Sequence, residues 1–226
     1  MLCTRLLLSL FLLAEAPMNN VDHIHWLGHA SFRIDDGAVR IYIDPWKLAG
    51  GAPKADVILI THSHFDHFSV EDIARIEQPS TVFVAPGDVA PKLKGRHVVL
   101  AEPGGSYQAG PIKVTAVPAY NLNKDFHPKA NHWVGYVVTL SNGQRIYHSG
   151  DSDATPEMKK VQTDVALMPC GGTYTMTAAE MAAAANEFRP AVLIPMHWGD
   201  IVGSKADAEA VAKAFKGKTV IKPVER

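Results

Sequence analysis

Short apolar runs separated by turn residues dominate the first half of the chain. The first three alternate apolar and polar positions and predict an antiparallel meander: 23–27, 31–35 and 39–44. A continuous apolar run at 55–61 predicts a buried strand. Ser69 is then the expected N-cap of a helix that carries Ile73 and Ile76 on one face, and the run 81–86 predicts the next strand.

The second half continues with β-rich runs. Strands are predicted at 112–120, 133–140, 145–150, 164–169, 191–199 and 219–223. The dipeptide Asn142-Gly143 indicates a tight hairpin between two of them, because this pair favours a two-residue turn.

Helix-capping residues stand between several of these strands. Thr155, followed by proline, predicts the start of a helix, since proline is favoured at the first helical position. Thr177 and Glu180 have the spacing of a capping box and predict a helix that runs to about Phe188. A last helix is predicted at 204–216. The alternation predicts an α/β protein with two sheets and helices outside them.

The domain organisation divides into two parts. Residues 18–226 show no fixed repeat and no linker long enough to separate domains, so they are expected to form one domain. Residues 1–17 carry one arginine, an apolar stretch and a small-x-small end, which resembles a secretory signal. The alternative is that the functional chain starts at Met18 and that the upstream segment is an artefact of the start site.

The apolar stretch near the start is too short for a membrane span, which needs about 20 residues. We therefore expect no stable span and a cytoplasmic protein, or an exported one if residues 1–16 are a cleaved signal peptide. Lys and Arg number 22 against 23 Asp and Glu, so no basic excess favours nucleic acid, and a small-molecule partner is expected. The two cysteines, Cys3 and Cys170, cannot make a disulfide framework.

Four predicted strands end in side chains that bind metals: Asp44, the run His62 to His67, Asp151 and His197. Functional sites in α/β proteins usually lie at the carboxyl ends of the strands. The spacing of His62 and His64 puts both imidazoles on one side of an extended segment, where they can bind one ion. Asp66 and His67 follow on the turn and can face a second ion. Imidazole and carboxylate suit zinc, and also manganese or iron, and burying four such groups without a metal would be costly.

The run from His62 to His67, His-x-His-x-Asp-His, resembles the signature of the metallo-β-lactamase superfamily. Further similar motifs are WLGHASF, IDP, YHSGD, GGTYTM and IPMHWG, and the resemblance covers nearly all of 21–224. They are similar to a branch of small hydrolases that includes the ascorbate-phosphate lactonase and the phospholipase D acting on N-acyl phosphatidylethanolamine. The resemblance implies a four-layer αββα sandwich and two divalent metal ions, with zinc preferred.

The resemblance also implies ligands for two ions: His62 and His64 for the first, Asp66, His67 and His197 for the second, and Asp151 for both. Asp44 is expected to orient a ligand histidine. One position departs from the branch, because Asn121 stands where a third histidine for the first ion is often found. His127 or His132 is the candidate to replace it or to contact substrate, and a one-metal site is expected if neither does.

Several other side chains have two interpretations. His29 is expected either to line the site or to bond to backbone. Tyr174 and Trp198 are candidate substrate walls or core aromatics. Lys129 would neutralise an anionic substrate or lie solvated on the surface.

These residues predict a metal-dependent hydrolase that uses a metal-bound hydroxide on a small ester, lactone or phosphodiester. Asp66 is expected to orient the hydroxide or take its proton, and His127 is a second candidate catalytic residue. One alternative is a nuclease of the same superfamily, although the chain lacks the length for a large inserted domain and its charge gives no support. The other alternative is a metal-binding protein without turnover, if Asn121 has disabled the first site.

Overall fold

A six-stranded mixed sheet forms the first half of the computed structural model, which describes residues 19–226. Its strands lie in chain order: β1 Ile24–Gly28, β2 Ser31–Asp36, β3 Val39–Ile43, β4 Val57–Leu59, β5 Val82–Ala85 and β6 His97–Leu100. Strands β1 to β3 are antiparallel, which confirms the predicted meander, and β3 to β6 are parallel. The predicted leader at 1–17 lies outside the described residues.

A seven-stranded sheet holds the second half. Its strands are β7 Ser106–Ala109, β8 Ile112–Pro118, β9 Val134–Thr139, β10 Arg145–His148, β11 Val165–Pro169, β12 Val192–Met196 and β13 Lys218–Thr219. They follow one another across the sheet, antiparallel from β7 to β10 and parallel from β10 to β13. The predicted turn joins β9 and β10, with Gly143 at a φ of 84° that suits glycine.

In the described part of the chain three α-helices cover the sheets: α1 Val70–Ile76, α2 Ala178–Phe188 and α3 Lys205–Ala214. Ser69 caps α1 by accepting from the Asp72 amide, and Thr177 and Glu180 form the predicted capping box of α2. These side chains satisfy amides that have no partner inside the helix. Within 19–226, no helix has the length and apolar character needed to cross a bilayer.

The buried apolar residues form three clusters that define the layers. The largest lies between the two sheets and includes Phe32 and Tyr136. A second lies between the outer face of the second sheet and helices α2 and α3, and a third lies between the first sheet and α1. The architecture is therefore the expected four-layer αββα sandwich.

Some predicted elements are wrong or were missed. The helix predicted from Thr155 is only a 3-10 turn at Met158–Lys160, because Val161 returns to extended backbone to start the path into β11. The predicted last strand at 219–223 is limited to Lys218–Thr219. Strands β6 and β7 were missed, because they are short edge strands: β6 has only three consecutive apolar residues, and β7 is mostly polar.

Candidate metal centre

The carboxyl ends of four strands bring the predicted site residues to one edge of the sandwich. The run His62 to His67 follows β4, and its turn closes through hydrogen bonds from the His67 and Phe68 amides to the His64 carbonyl. Asp44 follows β3, Asp151 follows β10 and His197 follows β12. Rigid strands therefore supply side chains from both sheets to the same place.

Three histidines form the first cluster. One ring nitrogen from each of His62, His64 and His127 lies within 4.8 Å of the others. His62 Nε2 and His64 Nδ1 are 3.1 Å apart, and the Trp133 ring lies 4.8 Å from both imidazoles. The cluster contains no carboxylate of its own, and it can hold a cation that accepts nitrogen ligands.

Four residues form the second cluster: His29, Asp66, His67 and His197, with ligand-type atoms again within 4.8 Å. Asp66 Oδ2 is 3.0 Å from His29 Nε2 and 3.7 Å from His67 Nε2. All four are buried. The mixture of nitrogen and carboxylate oxygen is typical of zinc, manganese and iron sites.

Asp151 lies between the two clusters. Its Oδ2 is 3.2 Å from His127 Nε2 and 3.0 Å from His197 Nε2, and its Oδ1 is 3.4 Å from His67 Nε2. Both carboxylate oxygens therefore face imidazole nitrogens, and one residue connects the two groups.

The donor atoms of the two clusters and Asp151 suit divalent cations. Among residues 19–226, six buried atoms of the centre find no partner in hydrogen-bonding geometry, and four of them meet at Asp151: its own Oδ1 and the Nε2 atoms of His67, His127 and His197. Burying a polar atom without a partner lowers the free energy of unfolding. Four such atoms in one place would therefore destabilise the fold unless they bound a ligand. Divalent ions bound among them would satisfy these atoms, and the donor set fits such ions.

Asp44 orients His67, as expected from the sequence. Its carboxylate is fully buried and accepts from His67 Nδ1 at 2.7 Å, from the Thr61 amide at 2.8 Å and from Thr61 Oγ1 at 2.6 Å. Because Nδ1 holds the proton that it donates, the lone pair of His67 Nε2 is directed towards Asp151 and Asp66.

Asn121 orients His127 in the same way. Its Oδ1 accepts from His127 Nδ1 at 2.6 Å, its Nδ2 donates to the Tyr174 carbonyl at 3.1 Å, and its amide donates to the His127 carbonyl. The loop is also held by Asp153, which accepts from the Leu122 amide. His127 is therefore buried with Nε2 towards Asp151, whereas His132 is exposed and outside both clusters.

Backbone strain is concentrated around the centre. His29, Asp44 and His197 all adopt a positive φ, between 47° and 59°, in the region that non-glycine residues rarely occupy. The His197 amide donates to the His29 carbonyl, and the two imidazoles lie 3.8 Å apart. These conformations turn the side chains at the strand ends into the centre, where strain is commonly tolerated for function.

Charges at the centre are strongly coupled. Burial would raise the pKa of Asp151, but His197 and His67 hold it well below its usual value. Burial would lower the pKa of His67, but the Asp151 and Asp44 carboxylates raise it well above its usual value. For Asp66 the cost of burial is outweighed by His29 and His67, which lower its pKa to about 2. Both Asp66 and Asp151 are therefore carboxylates at neutral pH.

A cavity of about 270 Å³ opens in front of both clusters. Its walls combine the polar residues of the centre with four apolar or aromatic side chains: Phe65, Phe126, Tyr174 and Ile201. Tyr174 is thus a wall, as one of its interpretations expected. The other three walls were not predicted, although Phe65, an aromatic residue within the metal-binding motif, was a visible indication.

The remaining candidates lie elsewhere. Trp198 packs its ring 4.6 Å from Trp26, so it belongs to the core. Lys129 pairs with Glu157 and does not line the cavity. His29 was expected to line the site or to bond to backbone. Its ring belongs to the site, because Nε2 contacts Asp66 Oδ2, and the bond to Trp26 Nε1 is made by the backbone carbonyl rather than by the ring.

Comparisons with known proteins agree with this geometry. A model of the beta-lactamase superfamily domain matches residues 23–197. A UPF0173 metal-dependent hydrolase of Anaeromyxobacter dehalogenans is 31% identical, with 89% of this chain and 84% of the relative covered. A second, from Koribacter versatilis, is 34% identical, with 78% and 84% covered. A crystal structure from Parabacteroides distasonis, described as a metal-dependent hydrolase, has a TM-score of 0.79 at 31% identity, covering 89% of this chain and 93% of that one.

Proposed function

Because this chain belongs to the UPF0173 metal-dependent hydrolases of the metallo-β-lactamase superfamily, we propose that it hydrolyses a small ester, lactone or phosphodiester with two divalent metal ions, zinc first among them. The observation that carries the proposal is the position of Asp151 between two groups of metal-binding side chains. A carboxylate in that position is suited to hold two ions close together.

The first ion is assigned to His62, His64 and His127. The support is the unpaired Nε2 of His127 and its distance of 3.2 Å from the shared Asp151. In this assignment Asn121 is not a lost ligand. It fixes the tautomer of the histidine that replaces one, and therefore a two-metal centre is favoured over a one-metal centre.

The second ion is assigned to Asp66, His67 and His197. Asp44 is hydrogen-bonded to His67, and His29 is hydrogen-bonded to Asp66. These two bonds restrict the orientation of His67 and Asp66. Such partners commonly change metal affinity or activity by about 10- to 100-fold. We assign His29 to this positioning role, since its Nε2 is directed at Asp66 Oδ2.

Divalent ions, when bound, lower the pKa of a coordinated water towards neutrality and polarise the bond under attack. Asp66 is ionised at neutral pH and lines the cavity, so it can orient the attacking water and accept its proton. His29 contacts Oδ2, and the other oxygen, Oδ1, is available to the second ion or to that water. The cavity walls then restrict the substrate to one approach to the centre.

The test is hydrolysis of p-nitrophenyl acetate, a γ-lactone and bis(p-nitrophenyl) phosphate by protein loaded with zinc, manganese or ferrous iron. Asp151→Asn is expected to lower turnover by at least about 100-fold while the circular dichroism spectrum is unchanged. Asp200→Asn is the matched control, because Asp200 pairs with Lys47 and Arg226 away from the clusters. Equal turnover by Asp151→Asn and wild type would overturn the proposal.

A further inference from the structure

The mouth of the cavity is formed by large apolar side chains that remain open to solvent. Phe65 is 70% exposed, Phe126 47% and Ile201 41%, and all three line the cavity with Tyr174. We call these four side chains the apolar rim. Exposed apolar side chains grouped around one opening are typical of a surface that binds a ligand.

The apolar rim is built from four separate segments. Phe65 comes from the turn after β4, Phe126 from the loop after β8, Tyr174 from the loop after β11 and Ile201 from the loop after β12. Their convergence is therefore a product of the fold rather than of one apolar run in the sequence.

Ring contacts hold the aromatic members in place. The Phe126 and Tyr174 rings meet edge to face with centroids 4.8 Å apart, and the Phe65 ring lies 6.0 Å from Trp46 at an interplanar angle of 76°. Tyr174 is also fixed through its carbonyl, which accepts from Asn121. The rim is thus connected to the loop that positions His127, and it is continuous with the centre.

The rim offers nothing that would pair with a charge on the substrate. In the part of the chain that the structure describes, no lysine or arginine lines this cavity. The cations of the neighbouring loops are already paired, Lys124 with Asp153 and Lys47 with Asp200. Among the described residues, the polar side chains that line the cavity are the Tyr174 side chain, Asp151 and members of the two clusters.

We propose that the substrate carries an uncharged apolar group, the size of a short acyl chain or one aromatic ring, that packs on the apolar rim while its reacting bond lies at the two clusters. This inference rests on the proposed function, because it takes the clusters as the place of reaction. The volume of about 270 Å³ limits the occupant to a small molecule.

The test compares acetohydroxamate with hexanohydroxamate, which share a metal-binding group and differ only in alkyl length. Each is titrated into zinc-loaded full-length protein by calorimetry, and zinc content is measured afterwards. One buried methylene raises affinity about fourfold, so hexanohydroxamate should bind wild type at least about tenfold more tightly. In Phe65→Ser and Phe126→Ser this preference should shrink to within about threefold, while acetohydroxamate binding stays close to wild type.

Leu100→Ser is the matched control, because Leu100 is an exposed apolar residue outside the cavity, and it should keep the full preference. If acetohydroxamate binds and alkyl length has no effect, the apolar rim is not a substrate surface and the proposed function stands. If neither probe binds while zinc remains, the proposed function fails and this inference fails with it.

Discussion

The two clusters of the centre are built differently. The second cluster takes His197 from the end of β12 and His67 from the turn after β4, and a fully buried carboxylate, Asp44, orients His67. The first cluster takes His127 from a loop, and a neutral amide, Asn121, orients it. A carboxylate behind a histidine raises its basicity more than an amide does. We therefore expect the second ion to be held more tightly, and the first to depend on the loop.

The largest effect on stability and turnover is expected from Asp44→Ala, which removes the carboxylate that orients His67. It leaves His67 Nδ1 and Thr61 without their acceptor inside the protein, so the free energy of unfolding should fall by about 3 kcal/mol in urea denaturation. Turnover should fall by about 100-fold. Asp56→Ala is the control, because Asp56 accepts from the Arg40 amide at the opposite end of β3 and β4. Comparable losses in both variants would mean that Asp44 acts only on stability.

A smaller and more selective effect is expected from Asn121→Ala. Losing the acceptor of His127 Nδ1 should weaken the first ion by about tenfold or more and leave the second unchanged, as measured by competition with a zinc chelator. Asn121→Asp keeps an acceptor and should restore the affinity. Asn123→Ala changes an exposed asparagine of the same loop and should bind both ions as wild type does. Equal weakening of both ions in Asn121→Ala would contradict the separate roles of the clusters.

Proton release tests the electrostatics of the second cluster. The Asp151 and Asp44 carboxylates hold the pKa of His67 well above its usual value, so a metal at Nε2 competes with a proton. Zinc binding should therefore release protons, measured by calorimetry in buffers of different ionisation enthalpy. Asp44→Asn removes one carboxylate that raises this pKa, so the release should decrease. An unchanged release would place the proton elsewhere.

The smallest effect is expected from Lys129→Ala. Lys129 pairs with Glu157 and contacts the Tyr120 ring, and it does not line the cavity. Its removal should change kcat/KM by less than about twofold, since an exposed pair contributes little. A large fall with an anionic substrate would mean that this lysine reaches the reacting molecule.

Residues at strand ends were easier to predict from the sequence than residues on loops. Strand ends were predictable, because a buried apolar run fixes a strand and the next polar residue then marks its end, as for His62, Asp151 and His197. The same periodicity predicted two sheets with helices outside them, and the resemblance to the metallo-β-lactamase superfamily implied the four-layer αββα sandwich. The sequence offered His127 and His132 as candidates and favoured His127, but it could not show the hydrogen bond from His127 Nδ1 to Asn121 Oδ1 that directs Nε2 towards Asp151. Only Tyr174 of the apolar rim was a candidate, because the members of the rim come from four segments that only the fold brings together.

The most direct test of the two-cluster account is the metal content per chain, by mass spectrometry, of protein purified without chelator or added metal. Wild type, His127→Ala and the exposed control His132→Ala should be measured together. We expect about two ions per chain in wild type and in His132→Ala, and about one in His127→Ala. One ion in all three proteins would contradict it, because His127 would then hold no metal and Asn121 would mark a lost site.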